Sequence, residues 1–322
     1  MIYYFLEIIA SLTFALGFGA TKYYQKFTRN NLISSVVFLL IFSIFSFIVI
    51  FAINGFKLAY EPLSFVLALV LAIICIFYYY IAILILKYGS MSVYSQFMML
   101  GGMILPYFFG VIVFNESLSD LKIVGLIILV LSLCLTMKVD KMDSKKKTII
   151  YISLCLLAFL LNGAVSITSS IQGNASIKWD IPTTNMYDYM LWRNLFSIAI
   201  GIPLLFILLI PKKKREENIE SIKESISIKP FIGAIVYTIV NNVGGFLQLY
   251  CVPFIDQSIL FPISTGGTVA FSTLLGFILY KEKANKLTII CLFLTIISTI
   301  IFMFGGFYNT TYIVDFLKNI FR

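Results

Sequence analysis

Apolar runs of about 20 residues, each broken by a short polar or charged interval, follow one another along almost the whole chain. The clearest pair lies between Gln257 and Phe304. A run containing small and polar residues reaches Lys281-Glu282-Lys283, and an almost wholly apolar run returns from Leu287. About 20 residues at 1.5 Å rise cross a hydrocarbon core of roughly 30 Å, so each run is long enough for one helical crossing. The charged interval then belongs at a membrane surface. The same order occurs earlier: Gln96 to Phe114, then Asn115-Glu116, then Lys122 to Met137. Aligning Glu116 with Glu282 brings Gly110 onto Gly276, so the chain reads as two copies of one unit.

Taken in order, the pattern predicts ten spans: Ile2 to Thr21, Leu32 to Ile53, Leu63 to Leu86, Ser92 to Phe114, Leu121 to Met137, Thr148 to Ile171, Met186 to Pro211, Pro230 to Val252, Gln257 to Tyr280 and Leu287 to Gly305. The expected organisation is a first five-helix repeat over 1–137, a charged linker over 138–147, a second five-helix repeat over 148–305 and a short tail over 306–322. Because five is odd, the second copy would enter the membrane from the opposite side. The fold expected is therefore an all-α polytopic membrane protein with ten transmembrane helices as two inverted five-helix repeats, an arrangement that places a binding site between the halves. Gln172 to Asn185 reads as a polar excursion. Lys212 to Ile228, with Ile219, Ile222 and Ile226 at helical spacing, reads as an amphipathic surface helix or a solvated linker.

Composition narrows the class. The hydrophobic fraction is 60% and mean hydropathy +0.99, whereas soluble domains hold roughly 45–50% even with glycine counted. Runs apolar for 20 residues at a time exclude the period-two strands of a porin. The first run lacks the positive leader of a cleaved signal and is expected to remain as span one. The net charge of +9 comes from lysines spread among short interhelical loops, which suits membrane edges rather than nucleic acid. On the ten-span map the positive residues gather on one side, and the positive-inside rule would then place both termini outside. Cys75, Cys134, Cys155, Cys251 and Cys291 all lie in apolar runs with no close pair, as packing residues do. Histidine is absent, which excludes histidine-based catalysis and histidine-containing metal motifs. No catalytic residue, metal ligand, cofactor or phosphate-binding loop is expected.

Polar side chains inside lipid are costly and mark either helix contacts or a site. The candidates for a central cavity are Asn162, Arg193, Asn241, Gln248, Gln96 and Thr265. The amides offer donor and acceptor groups to a small polar solute. Arg193 can snorkel, pair with Asp188 or face an anionic group of a substrate. The alternative for all of them is glue between helices. Glu7 is the candidate coupling group, because a carboxylate in a partly dry cavity holds a proton more tightly. Glu116 and Glu282 occupy equivalent turns and are expected to close their hairpins by charge pairing at a surface. Pro106 is expected to bend its helix, and Gly266-Gly267 to permit a close crossing or a local break.

The order of Tyr78-Tyr79-Tyr80 and Ala82, Leu105-Pro106, Phe114-Asn115-Glu116-Ser117-Leu118 and Gly125, then Phe261-Pro262, Thr265-Gly266-Gly267 and Tyr280-Lys281-Glu282-Lys283, resembles the drug/metabolite transporter superfamily, in particular its ten-helix EamA-like members. The resemblance covers about residues 1 to 305. It implies a secondary transporter or exporter of a small polar or amphipathic metabolite, working by alternating access in the cell membrane with a coupling ion or counter-substrate, and holding both termini in the cytoplasm. Arg193 matches the family's arginine early in helix seven, whereas Leu32-Ile33-Ser34-Ser35-Val36 lacks the arginine of helix two, and Phe14 stands where small multidrug-resistance relatives carry glutamate. The competing classes are a non-transporting membrane accessory protein and a lipid-handling membrane enzyme. The expected partners are a metabolite and membrane lipid, with no nucleic acid; the oligomeric state is left open.

Overall fold

The computed structural model describes residues 2–29, 31–86, 91–136, 145–280 and 286–305. They form eleven α-helices: α1 (Ile2–Lys26), α2 (Leu32–Ile53), α3 (Pro62–Leu86), α4 (Met91–Val113), α5 (Asp120–Thr136), α6 (Lys145–Trp179), α7 (Met186–Leu209), α8 (Lys212–Ser225), α9 (Ile228–Cys251), α10 (Gln257–Tyr280) and α11 (Lys286–Gly305). Two asparagines set helix starts. The Asn31 side chain accepts from the Ser34 N–H and that of Asn185 from the Asp188 N–H, which satisfies N–H groups that a helix cannot satisfy within itself. Pro106, Pro203 and Pro262 all lie within continuous helices.

The chain is a multi-pass, all-helical membrane protein, in keeping with a cell-membrane location. Its span count corrects the expectation of ten. Among the described residues, six helices are long and apolar enough to cross: Ile2–Lys26, Leu32–Ile53, Ile149–Trp179, Met186–Leu209, Ile228–Cys251 and Gln257–Gly276. The apolar stretches Pro62–Tyr78, Phe97–Val113 and Ile289–Gly305 are shorter, and α5 has 17 residues, against the roughly 20 that a 30 Å core requires. Six spans remove the odd division into five and five from which the inverted repeats were drawn. The orientation derived from the ten-span map goes with it. The Lys281-Glu282-Lys283 turn and the tail over 306–322 lie outside the described residues, as does most of the charged linker.

One further segment differs from expectation, and the one after α7 takes the helical form of its two expected forms. The Gln172 to Asn185 stretch is not an excursion throughout, because α6 runs on to Trp179. Its polar residues find partners: Gln172 donates to the Thr184 carbonyl at 2.9 Å and Asn174 to the Ser170 carbonyl at 3.1 Å. The segment after α7 is helical, but Ile219 and Ile226 are exposed. Among its described side chains Ser221 and Ser225 are buried, with Ile222 packed on the cluster of Tyr24, Ile33 and Val37.

Helix α1 packs between α9 and α10, α6 against α3 and α4, α2 against α7, and α5 against α11, while α10 also reaches α4 and α11. Small residues bring these axes close, as in membrane bundles generally. A Cβ at Gly101 of α4 would collide with the Phe159 backbone of α6, and one at Gly267 of α10 would lie 2.8 Å from Ser11 Oγ of α1. Helix α10 is continuous through Gly266 and Gly267, so these residues make a close crossing and not a break. Apolar side chains such as Ile112, Phe206, Ile239 and Ile278 face outward, a pattern costly in water and suited to lipid.

Candidate functional site

Three membrane-crossing helices bring one polar group together. Glu7 of α1 is fully buried, at 0% exposure. From α9, Gln248 Nε2 donates to Ser264 Oγ of α10 at 2.6 Å and lies 3.4 Å from Glu7 Oε1. Helical geometry explains the meeting: α1 is the element lodged between α9 and α10, and Gly267 lets α10 close onto Ser11, one turn beyond Glu7. Ser11 Oγ donates to the Glu7 carbonyl at 2.9 Å, and Thr268 Oγ1 donates to the Ser264 carbonyl at 2.7 Å. Those hydroxyls are absorbed by the backbone, whereas Glu7 Oε2 makes no hydrogen bond among the described residues. No lysine or arginine among the described residues pairs with Glu7. The group offers a carboxyl, an amide and a hydroxyl in an apolar setting. Such a set can exchange a proton or hold the polar part of a small solute.

Arg193 lies on α7, against α2. Its guanidinium lies over the Phe42 ring, 5.5 Å from the centroid, and Nη2 donates to Asn194 Oδ1 at 3.2 Å. Pairing with Asp188 does not occur. Asp188 Oδ1 instead accepts from Asn54 Nδ2 at 2.7 Å and from the Ala59 N–H at 3.1 Å, tying α7 to the turn after α2. Nearby, Asn242 Nδ2 donates to Ser46 Oγ at 2.7 Å. The Asn242 Oδ1 and Asn194 Nδ2 atoms are buried without a hydrogen bond among the described residues.

The remaining candidates scatter. Asn162 is glue: its Nδ2 donates to the Met98 carbonyl of α4 at 2.8 Å, seated against Gly102. Ser166 repeats the contact one turn on, to the Gly102 carbonyl at 3.3 Å. Asn241 is half-buried on α9, and no hydrogen bond among the described residues links it or Asn162 to Arg193 or Gln248. Thr265 is buried, but its neighbour Ser264 makes the contact with Gln248. Gln96 lies on α4, where only the helix is described. Glu282 lies outside the described residues.

Glu116 corrects the expectation of a surface charge pair. Its two oxygens accept from the backbone N–H groups of Gln257 at 2.7 Å and Ser258 at 2.9 Å, in the first turn of α10. Burial pushes this carboxyl above its ordinary value, against the pull of the Ser258 and Gln257 donors. Lys122 is not on the surface either: its side chain is 1% exposed, and Nζ donates to the Ser117 carbonyl at 2.8 Å and to Ser258 Oγ at 2.9 Å. The described cysteines are free thiols; Cys155, Cys251 and Cys291 are buried and Cys75 is partly so.

Sequence reading missed Ser264, Asn194 and Asn242, each adjacent to a residue it singled out. No family model matches the chain. No curated protein matches it. A solved structure described only as "Crystal structure of protein" is similar, with 15% identity, a TM-score of 0.60 and coverage of 95% of this chain and 96% of that one. At that identity the likeness shows the fold alone.

Proposed function

We propose that this protein is a secondary transporter or exporter of a small polar or amphipathic metabolite, of the drug/metabolite transporter type with EamA-like character, working by alternating access. The observation that carries the reading is the Glu7, Gln248 and Ser264 group, which joins α1, α9 and α10 inside the apolar bundle. A carboxyl enclosed by apolar helices with no basic partner among the described residues is costly and favours a bound proton. Here one oxygen is left for a proton or a solute. Arg193 supplies a second polar position in the same bundle, on α7 against α2, for an anionic or hydrogen-bonding part of the substrate. Glu7 is the coupling residue, and the energy comes from an ion or a counter-substrate.

The test compares metabolites retained and exported by cells producing the wild type, Glu7→Gln or Gln248→Ala at matched membrane abundance. The wild type is expected to shift a reproducible set of small polar metabolites, and both variants to lose that shift. Identical profiles in all three and in cells lacking the protein would contradict the reading.

A further inference from the structure

Two side chains, Glu116 in the turn after α4 and Lys122 in the first turn of α5, grip the start of α10. Glu116 holds the N–H groups of Gln257 and Ser258, and Lys122 holds the Ser258 hydroxyl while its ammonium lies 3.6 Å from Asp256 Oδ2. The chain keeps room for both. A Cβ at Gly110 would lie 2.6 Å from Glu116 Oε2, and one at Gly305 would lie 3.0 Å from Lys122 Cγ. Ser119 Oγ also donates to the Gly305 carbonyl at 3.1 Å, which draws the end of α11 into the same knot.

This knot belongs to a closed end of the bundle. Ser170 of α6 donates to Gln257 Oε1 at 2.7 Å, Phe114 meets Trp179 with ring centroids 5.4 Å apart, and Tyr3 stacks on Phe254 at 4.1 Å. The seam of α4 and α6 packs Gly101 against the Phe159 backbone and Gly102 against the Asn162 and Ser166 side chains. The contacts around Glu116 and Lys122 differ, because they are side-chain hydrogen bonds to two N–H groups and a hydroxyl and can part by side-chain rotation. Asp256 is 49% exposed, so the Lys122 ammonium is one side chain away from solvent. Ser258 also stands six residues before Ser264, about 9 Å along α10. A tilt at the start of α10 therefore acts directly on the Ser264 contact with Gln248.

We infer that Glu116 and Lys122 form a latch that holds this end of the bundle shut by pinning the first turn of α10, and that its release opens a path toward Glu7, Gln248 and Ser264. Its role in a transport cycle rests on the proposed function; the latch itself does not. Cys251 reports its state. That thiol is 0% exposed, donates to the Tyr3 carbonyl at 3.4 Å and lies at the end of α9, just before the turn that carries Asp256.

The test uses the full chain in liposomes with Cys75, Cys134, Cys155 and Cys291 replaced by alanine. Modification of Cys251 by an impermeant thiol reagent is followed by peptide mass. Glu116→Ala and Lys122→Met should each speed modification about tenfold or more, the scale set by loss of a charged hydrogen bond. Lys122→Arg should restore the slow rate. A second arm places cysteines at Ser117 and Ser258, whose backbone carbonyl and hydroxyl respectively accept from the Lys122 ammonium, and scores only molecules whose disulfide is seen by mass. Oxidising that pair should slow Cys251 modification below the reduced rate, and this arm stands where Lys122→Met does not assemble. Unchanged rates in the substituted proteins, or in the oxidised pair, would overturn the latch. If the rates change as expected while no solute moves, the latch stands and the transport reading falls; moving solute with flat rates gives the converse.

Discussion

At the scale of single residues, a polar side chain in lipid serves either its neighbours or a ligand, and its unused atoms separate the two. Asn162 serves a neighbour, the Met98 carbonyl. Asn162→Ala is therefore expected to lower stability by about 1 kcal/mol, the scale of interhelical hydrogen bonds in membranes, and to leave uptake per folded molecule unchanged. Thermal unfolding in detergent beside a transport assay checks both. Glu7 and Arg193 are expected to behave oppositely: Glu7→Gln should keep the unfolding midpoint close to wild type and abolish coupled movement. Gln248 was legible in the sequence because an amide inside an apolar run stands out. Ser264 and Asn242 were not, since adjacent helical residues point about 100° apart and nothing within one helix fixes its rotation about its axis. Thr265 and Asn241, each one position away, drew the attention instead. The burial of Lys122 was not legible, because it depends on Asp256 and Ser258, more than 130 residues away in the chain.

At the scale of elements, boundaries set by local chemistry were legible. Asn31 and Asn185 cap α2 and α7, and both helices begin where predicted. The far end of α6 was not, because Gln172 and Asn174 look like loop residues until the Thr184 carbonyl and the helix's own backbone take up their amides. Close crossings make sharp predictions. Gly101→Ala puts a methyl group into the Phe159 backbone of α6 and is expected to cost about 1–3 kcal/mol or more, as overpacking does, read as a lower unfolding midpoint. Glu116 predicts a dependence on pH. Its carboxyl is raised above 4.5 in the folded protein by burial, so the folded state binds that proton more tightly than the unfolded chain. Its contribution is full below the ordinary value and is lost as pH rises through the raised one. Midpoints measured over that interval should fall with pH in the wild type relative to Glu116→Ala; parallel curves would refute the assignment.

At the scale of the whole molecule, composition fixed the class, because 60% hydrophobic residues in long runs leave helices in a membrane as the way to satisfy the backbone. The number of crossings was not legible. Hydrophobic runs mark where apolar surface is needed, and the described apolar parts of α3, α4 and α11 are shorter than a full span. Placement of the polar groups was legible only in part, since the pairing of α1 with α9 and α10 arises from contacts between segments more than 200 residues apart. The proposed role of the group around Glu7 in transport is open to a direct measurement. Purified protein in liposomes preloaded with a metabolite identified by export tests it by counterflow, with labelled metabolite outside. Wild-type liposomes are expected to accumulate label transiently, and Glu7→Gln liposomes to accumulate none. Wild-type liposomes that accumulate no more label than protein-free liposomes would contradict that role.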